Sequence, residues 1–187
     1  MKTFLSIATL LLILVIGFFV VNKRKEPTVI NNYRNATYQI DGKAVTLVNG
    51  VSETAIVPDS ASKVITRYFG NEFKTDLNND GREDVVFILT QALGGSGVFF
   101  YVVSALNTEN GYVGSDGYLL GDRITPQNIE ASTNPRHKNV LMVDYKDRAQ
   151  NDPMTTIPHI SKSVYLKLNT INMKWGIVEP NFEGESR

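Results

Sequence analysis

After residue 36 no stretch of this chain repeats apolar residues every 3.6 positions over three turns; short apolar runs alternate instead with Asp-Gly, Asn-Gly and other glycine-rich breaks. That pattern argues against a helical core and makes strands the elements that bury apolar side chains. The two most apolar runs are residues 85–89 and 98–106, separated by the glycine-rich segment 92–97. The first is short and continuous, which predicts a strand covered on both faces, and the two together read as the central hairpin of the core.

Ahead of this pair, residues 38–40 and 44–48 flank Asp41 and Gly42, and Asn49 and Gly50 follow. Asp-Gly between apolar runs is a hairpin signal, because a type I′ turn needs positive φ at both central positions. A β-hairpin is therefore expected to open the domain. Residues 51–62 are mixed, with a loop at Pro58, Asp59 and Ser60, and residues 63–69 suit a pleated surface. Residues 112–120 contain Gly114, Asp116 and Gly117 and read as an irregular or bulged strand. Further strands are expected at 127–131, 140–145, 164–168 and 175–178. In the third of these, Val164, Leu166 and Leu168 alternate with Tyr165 and Lys167, as one buried face requires. The expected fold is mainly β, an antiparallel meander or sandwich-like single domain over 37–180, with a tail at 181–187.

Residues 4–21 carry no charge, and as a helix they would span about 27 Å of a hydrocarbon core about 30 Å thick. A cleaved signal peptide is the alternative, but Phe18, Phe19, Val20 and Val21 stand where the small residues of a cleavage site belong. We expect a retained transmembrane anchor at 1–25, with the lipid bilayer as its partner, and a short tether at 26–36. Lys2 and the amino terminus on one side, and Lys23, Arg24 and Lys25 on the other, leave orientation undecided by charge.

Nineteen basic residues balance nineteen acidic ones, so there is no electrostatic case for a nucleic-acid partner. The absence of cysteine removes disulfides, thiolate nucleophiles, cysteine-ligated zinc and a lipidated cysteine together. Past the anchor, about 150 residues suffice to bury about 70% of the unfolded chain's surface in one domain.

Immediately before the central strand stands DLNNDGRED, residues 76–84. Counting from Asp76 as position one, Asn78 is third and Asp80 fifth, Gly81 permits a sharp turn, Arg82 offers its carbonyl at the seventh, and Asp84 is ninth. Oxygen donors at alternate positions around a glycine turn are what a hard cation such as Ca²⁺ needs. An EF-hand would require glutamate at position twelve, where Phe87 stands, so this is not an EF-hand. The bland alternative is a turn rich in Asn, Asp and Gly for conformational reasons. Against it, three carboxylates are drawn together with only Arg82 or a bound cation to offset their repulsion. A structural Ca²⁺ site of Asp76, Asn78, Asp80, Arg82 and Asp84 is expected. Extracellular calcium is millimolar, which puts the domain on the extracytoplasmic side of the membrane.

Phe69 and Gly70, followed by DLNNDGRED and an apolar strand, resemble the FG-GAP and VCBS type of calcium-binding repeat, in which DxNxDGxxD precedes a strand. The resemblance implies ligation by the side chains of Asp76, Asn78, Asp80 and Asp84 and by the carbonyl of Arg82. Those families repeat the unit around a propeller; one copy is present here, so a closed ring is not expected. More broadly, the order of that loop, GVFFYVVSAL, LLGDRI, NDPM and a final VYLKL is similar to bacterial exported or lipoprotein-type domains of unknown function. Relatives of that kind carry a cysteine pair after the DPM segment, where this chain has Thr155 and Thr156. The likeness implies a bacterial cell-envelope protein and no reaction.

No catalytic residue is assigned. Gly94, Gly95, Ser96 and Gly97 lack the glycine at position 98 that a nucleophile elbow requires. His137 and His159 adjoin loop prolines and read as surface residues, and the sequon at Asn35 carries little weight. Asp122 and Arg123 read as a local ion pair, and Phe99, Phe100, Tyr101 and Trp175 as core or face-covering aromatics. The functional expectation is a membrane-anchored binding or assembly module with an envelope protein or glycan partner. The alternatives are an envelope hydrolase with a metal or carboxylate site, and a scaffold that interacts through an exposed sheet edge.

Overall fold

The computed structural model describes residues 32–57 and 61–179. The expected anchor, its basic flank, the first part of the tether, the loop at Pro58 to Ser60 and the tail at 181–187 lie outside the described residues. Among the described residues a 3-10 turn, Tyr33–Asn35, precedes twelve strands. These are β1 Thr37–Ile40, β2 Lys43–Thr46, β3 Val51–Ala55, β4 Lys63–Thr75, β5 Asp84–Ala92, β6 Val98–Thr108, β7 Gly111–Gly114, β8 Tyr118–Asp122, β9 Thr125–Ala131, β10 Val140–Asp147, β11 Ile160–Asn169 and β12 Lys174–Ile177. The fold is mainly β, and its sheets are antiparallel.

A six-stranded sheet runs in the order β3-β4-β5-β6-β7, with β8 continuing the β7 edge along the other end of β6. A four-stranded sheet runs β12-β11-β10-β9, and β1 and β2 form a hairpin by themselves. Alternate residues of β5 and β6 face opposite ways. Val86, Ile88, Val102 and Leu106 pack with Ile129, Leu141, Val143 and Leu166 of the four-stranded sheet. Val85, Phe87, Leu89, Tyr101 and Val103 pack with Tyr38, Ile40 and Leu47 of the opening hairpin. Covering both faces is why Asp84 to Leu89 are all buried and why the segment reads as a continuous apolar run.

The first two turns form as expected. Asp41 and Gly42 join β1 to β2 at φ of 50° and 73°, and Asn49 and Gly50 join the end of that arm to β3 at 52° and 84°. Three differences have physical reasons. Residues 51–55 form a strand despite Ser52, Glu53 and Thr54, because pairing with β4 fixes them at a sheet edge where polar side chains meet water. β4 extends to Thr75, past a kink at Gly70 and Asn71 where both have positive φ and the register shifts. Residues 112–120 are two strands, because β1 docks between them: Gln39 donates to the Ser115 carbonyl, and Gly117 donates to that of Gln39.

The end of the expected tether is packed. Ala36 is fully buried, and Tyr33, Tyr68 and Arg34 all donate to the same oxygen of Glu72, while the Arg34 guanidinium lies 3.9 Å over the Tyr68 ring.

Candidate metal centre

The segment 76–83 joins β4 to β5, which pair directly at its two ends through Thr75 and Asp84. Asn79 and Gly81 take left-handed backbone, at φ of 62° and 81°, and wind the chain into a tight coil. The side chains expected to ligate turn into that coil. Asp76 Oδ1 accepts from the amide of Asp80 at 3.2 Å and Oδ2 from that of Gly81 at 2.8 Å. Asn78 Oδ1 accepts from the same Asp80 amide at 3.1 Å, and Asp80 Oδ1 from the amide of Arg82 at 2.9 Å. Four oxygens of three side chains at alternate positions are thereby gathered on the consecutive amides of residues 80–82, each keeping a further lone pair.

Asp84 is placed differently. It is fully buried at the first position of β5; its Oδ2 accepts from the Leu77 amide at 2.9 Å and its Oδ1 from the Asn107 amide at 2.8 Å. Burial raises its pKa above the usual aspartate range, the two amide bonds oppose that, and the charges of Asp80 and Asp76 add to the rise. Asp80 moves the other way. The Arg82 amide, the Asn78 side chain and the Arg82 charge hold its carboxyl below the usual range.

Arg82 does more than present a carbonyl. Its Nη2 donates to Asp80 Oδ2 at 2.7 Å and its Nε to the Asn107 carbonyl at 2.8 Å, so the loop has a built-in counter-charge. Sequence spacing did not identify Asn107, which ties the loop to the end of β6, or Asn139, which donates to the Leu77 carbonyl at 2.9 Å. Asn107 arrives from β6 and Asn139 from the loop just before β10, and no local motif marks them.

The donor set is all oxygen, and such residues fit a hard cation rather than a soft one. Among the described residues, no three His, Cys, Asp or Glu side chains converge as a metal cluster. Any cation on Asp80 meets the Arg82 guanidinium already there.

The remaining candidates settle into local roles. Asp122 and Arg123 form a side-chain ion pair at 2.9 Å, Asp122 Oδ1 accepts from the Val98 amide, and Arg148 donates to the Arg123 carbonyl, closing the turn between β8 and β9. His137 Nδ1 lies 2.6 Å from Ser132 Oγ, which also accepts from the Asn134 amide, within one loop between β9 and β10. His159 lies 3.7 Å from Asp152 and is exposed. Phe100 and Tyr101 are core, and Tyr101 donates to Asp41 at 2.7 Å. No family model matches the chain, and neither curated proteins nor solved structures give a significant match.

Proposed function

We propose that this chain is a sandwich-like domain, preceded by a transmembrane helix, that acts outside the membrane as a binding or assembly module of the bacterial cell envelope and uses Ca²⁺ structurally. The observation that carries the calcium reading is the inward turn of Asp76, Asn78 and Asp80 onto consecutive amides beside the buried Asp84. Asp76, Asn78 and Asp80 would hold the ion by side-chain oxygen and Arg82 by its carbonyl. Asp84 would add a carboxylate, with the Arg82 guanidinium released from Asp80. The ion would supply charge neutralisation and a staple between β4 and β5, and no chemical step. This is the role that the FG-GAP and VCBS resemblance implies for the same residues.

A ligand that binds the folded loop and not the unfolded chain stabilises by RT ln(1 + [L]/Kd). With calcium at a hundred times its Kd, the full chain in lipid nanodiscs should melt about 5–10 °C higher than in chelator. Trp175, the one tryptophan, packs against the core and reports the transition. Asp76→Asn and Asp80→Asn each keep one acceptor oxygen of the turn and remove the charge, so each should abolish most of the increment when its melting in calcium is compared with its own melting in chelator. Equal melting with and without calcium would leave only the turn reading. The hydrolase alternative would need a metal or carboxylate site, and the Ser132–His137 contact, which closes a loop on its own, does not supply one.

A further inference from the structure

β2 and β3 are consecutive strands joined through Asn49 and Gly50, yet they pair only at the closed end, where Val48 and Val51 exchange backbone hydrogen bonds of 2.8 and 3.1 Å. Carried one way along the arms, that register would set Val45 against Thr54, Ala44 against Ala55 and Lys43 against Ile56. Those six residues instead line opposite sides of a cavity of about 370 Å³. The hairpin is unzipped, and the cavity is its open mouth.

Ladder alternation decides which backbone groups face the mouth. The Val48–Val51 exchange points the N–H and C=O of both residues across the gap, so those of Thr46, Ala44, Glu53 and Ala55 point the same way. No hydrogen bond joins the two arms at these four residues among the described residues. Among the described residues β3 is the last strand of the six-stranded sheet and β2 pairs only with β1, so neither facing edge is paired there.

The floor is polar: Gln91 is 6% exposed, lines the cavity and donates to Thr66 Oγ1 at 3.0 Å. Around the mouth Ile56 and Leu93 are exposed, while Asp41 and Lys43 contribute one charge of each sign.

We propose that this open mouth is a docking site for an extended peptide segment of a partner protein, which adds as a strand between β2 and β3. The proposal rests on the binding-module reading and names the class of partner. A small apolar ligand would fill the cavity and leave eight backbone groups unpaired. A polypeptide strand offers donors and acceptors at the repeat those edges present, and its alternate apolar side chains would meet Val45, Val64 and Ile56. The balanced rim charges favour a peptide of low net charge.

The full chain in lipid nanodiscs is panned against a random heptapeptide phage library, and enriched peptides are synthesised for fluorescence anisotropy. The expected peptides carry apolar residues at alternate positions. Ala55→Pro removes one donor from the open edge and leaves the β4 side intact; it should weaken binding about tenfold. In a chain without cysteine, Ala44→Cys with Ala55→Cys provides the second variant. Its oxidised form should lose binding and regain it on reduction, and the peptide itself should block oxidation. Peptides indifferent to both variants overturn this site and leave the binding-module reading standing. No enriched peptide overturns the site and counts against that reading too. Slow hydrogen exchange at Ala44, Thr46, Glu53 and Ala55 in the free protein also overturns it, because the mouth would then be closed by its own arms.

Discussion

Three aspartates of one short loop end in different electrostatic situations because each meets a different set of donors. Asp76 and Asp80 sit in the coil and accept amides of the loop, whereas Asp84 is taken out of water at the start of β5. The Arg82 guanidinium on Asp80 occupies the charge that a metal would use. Arg82→Gln is therefore expected to tighten calcium several-fold, measured by calorimetry, and to destabilise the chelated protein, since Asp80 and the Asn107 carbonyl each lose a donor. Were the loop only a turn, the substitution would destabilise equally with and without calcium. The pH dependence follows from Asp84. Its folded pKa is raised, so its contribution to stability is fully present below the ordinary aspartate pKa and is lost as pH rises through the folded value. A bound cation offsets that loss. The calcium-induced rise in melting temperature should thus be smaller below the ordinary aspartate pKa and grow as pH rises through the raised folded value of Asp84, checked by paired melts in calcium and chelator across that range. Of the expected loop, the coil that gathers Asp76, Asn78 and Asp80 around the turn at Gly81 was legible because it is local; the positions of Arg82's side chain and of Asp84 were not, because Asn107 and the sheet decide them.

The strands show the same division. Val85 to Leu89 and the turns at Asp41 and Asn49 follow from composition and local φ preference alone. The break between β7 and β8 needs the opening hairpin to be in place. A Cβ on Gly114 would stand 2.3 Å from the Thr37 carbonyl oxygen and 2.7 Å from the Tyr38 ring, both belonging to β1. Gly114→Ala should therefore cost about 1–3 kcal/mol and loosen the hairpin rather than the central sheet. Chemical denaturation gives the cost, and hydrogen exchange at Tyr38 and Ile40 locates it. A bulge internal to β7 would instead show faster exchange at residues 105–108 of β6. β3 escaped recognition because its polar residues obey no alternation of their own; pairing with β4 makes it a strand, and its open outer edge makes it the candidate peptide seat.

Across the whole molecule, the central sheet is a shared wall between two apolar clusters, one with the four-stranded sheet and one with the opening hairpin. Phe87 is fully buried in the second and has Tyr33, Tyr38 and Tyr68 within ring contact, at centroid separations of 5.5, 5.6 and 5.4 Å. Truncation there removes packing for the 3-10 turn, the hairpin and β4 together, so Phe87→Ala is expected to cost about 3–5 kcal/mol in a denaturation curve. A cost under about 1 kcal/mol would mean that the hairpin layer contributes little to the packed fold.

What the chain's order of residues determined by itself was local: strands in place of helices, two positive-φ hairpin turns, an apolar run requiring cover on both sides, and a coil of oxygen-bearing side chains ahead of it. Each depends on neighbours a few bonds away, through backbone sterics and side-chain reach. Tertiary structure alone decided which layer covers which face, that Asn107 and Leu77 hold Asp84, that Gly114 is required by an approaching carbonyl, and that the arms of β2 and β3 part at Val48. Those outcomes are set by contacts between residues distant in sequence, and a single sequence carries no signal for which distant groups will share a volume once apolar surface is withdrawn from water.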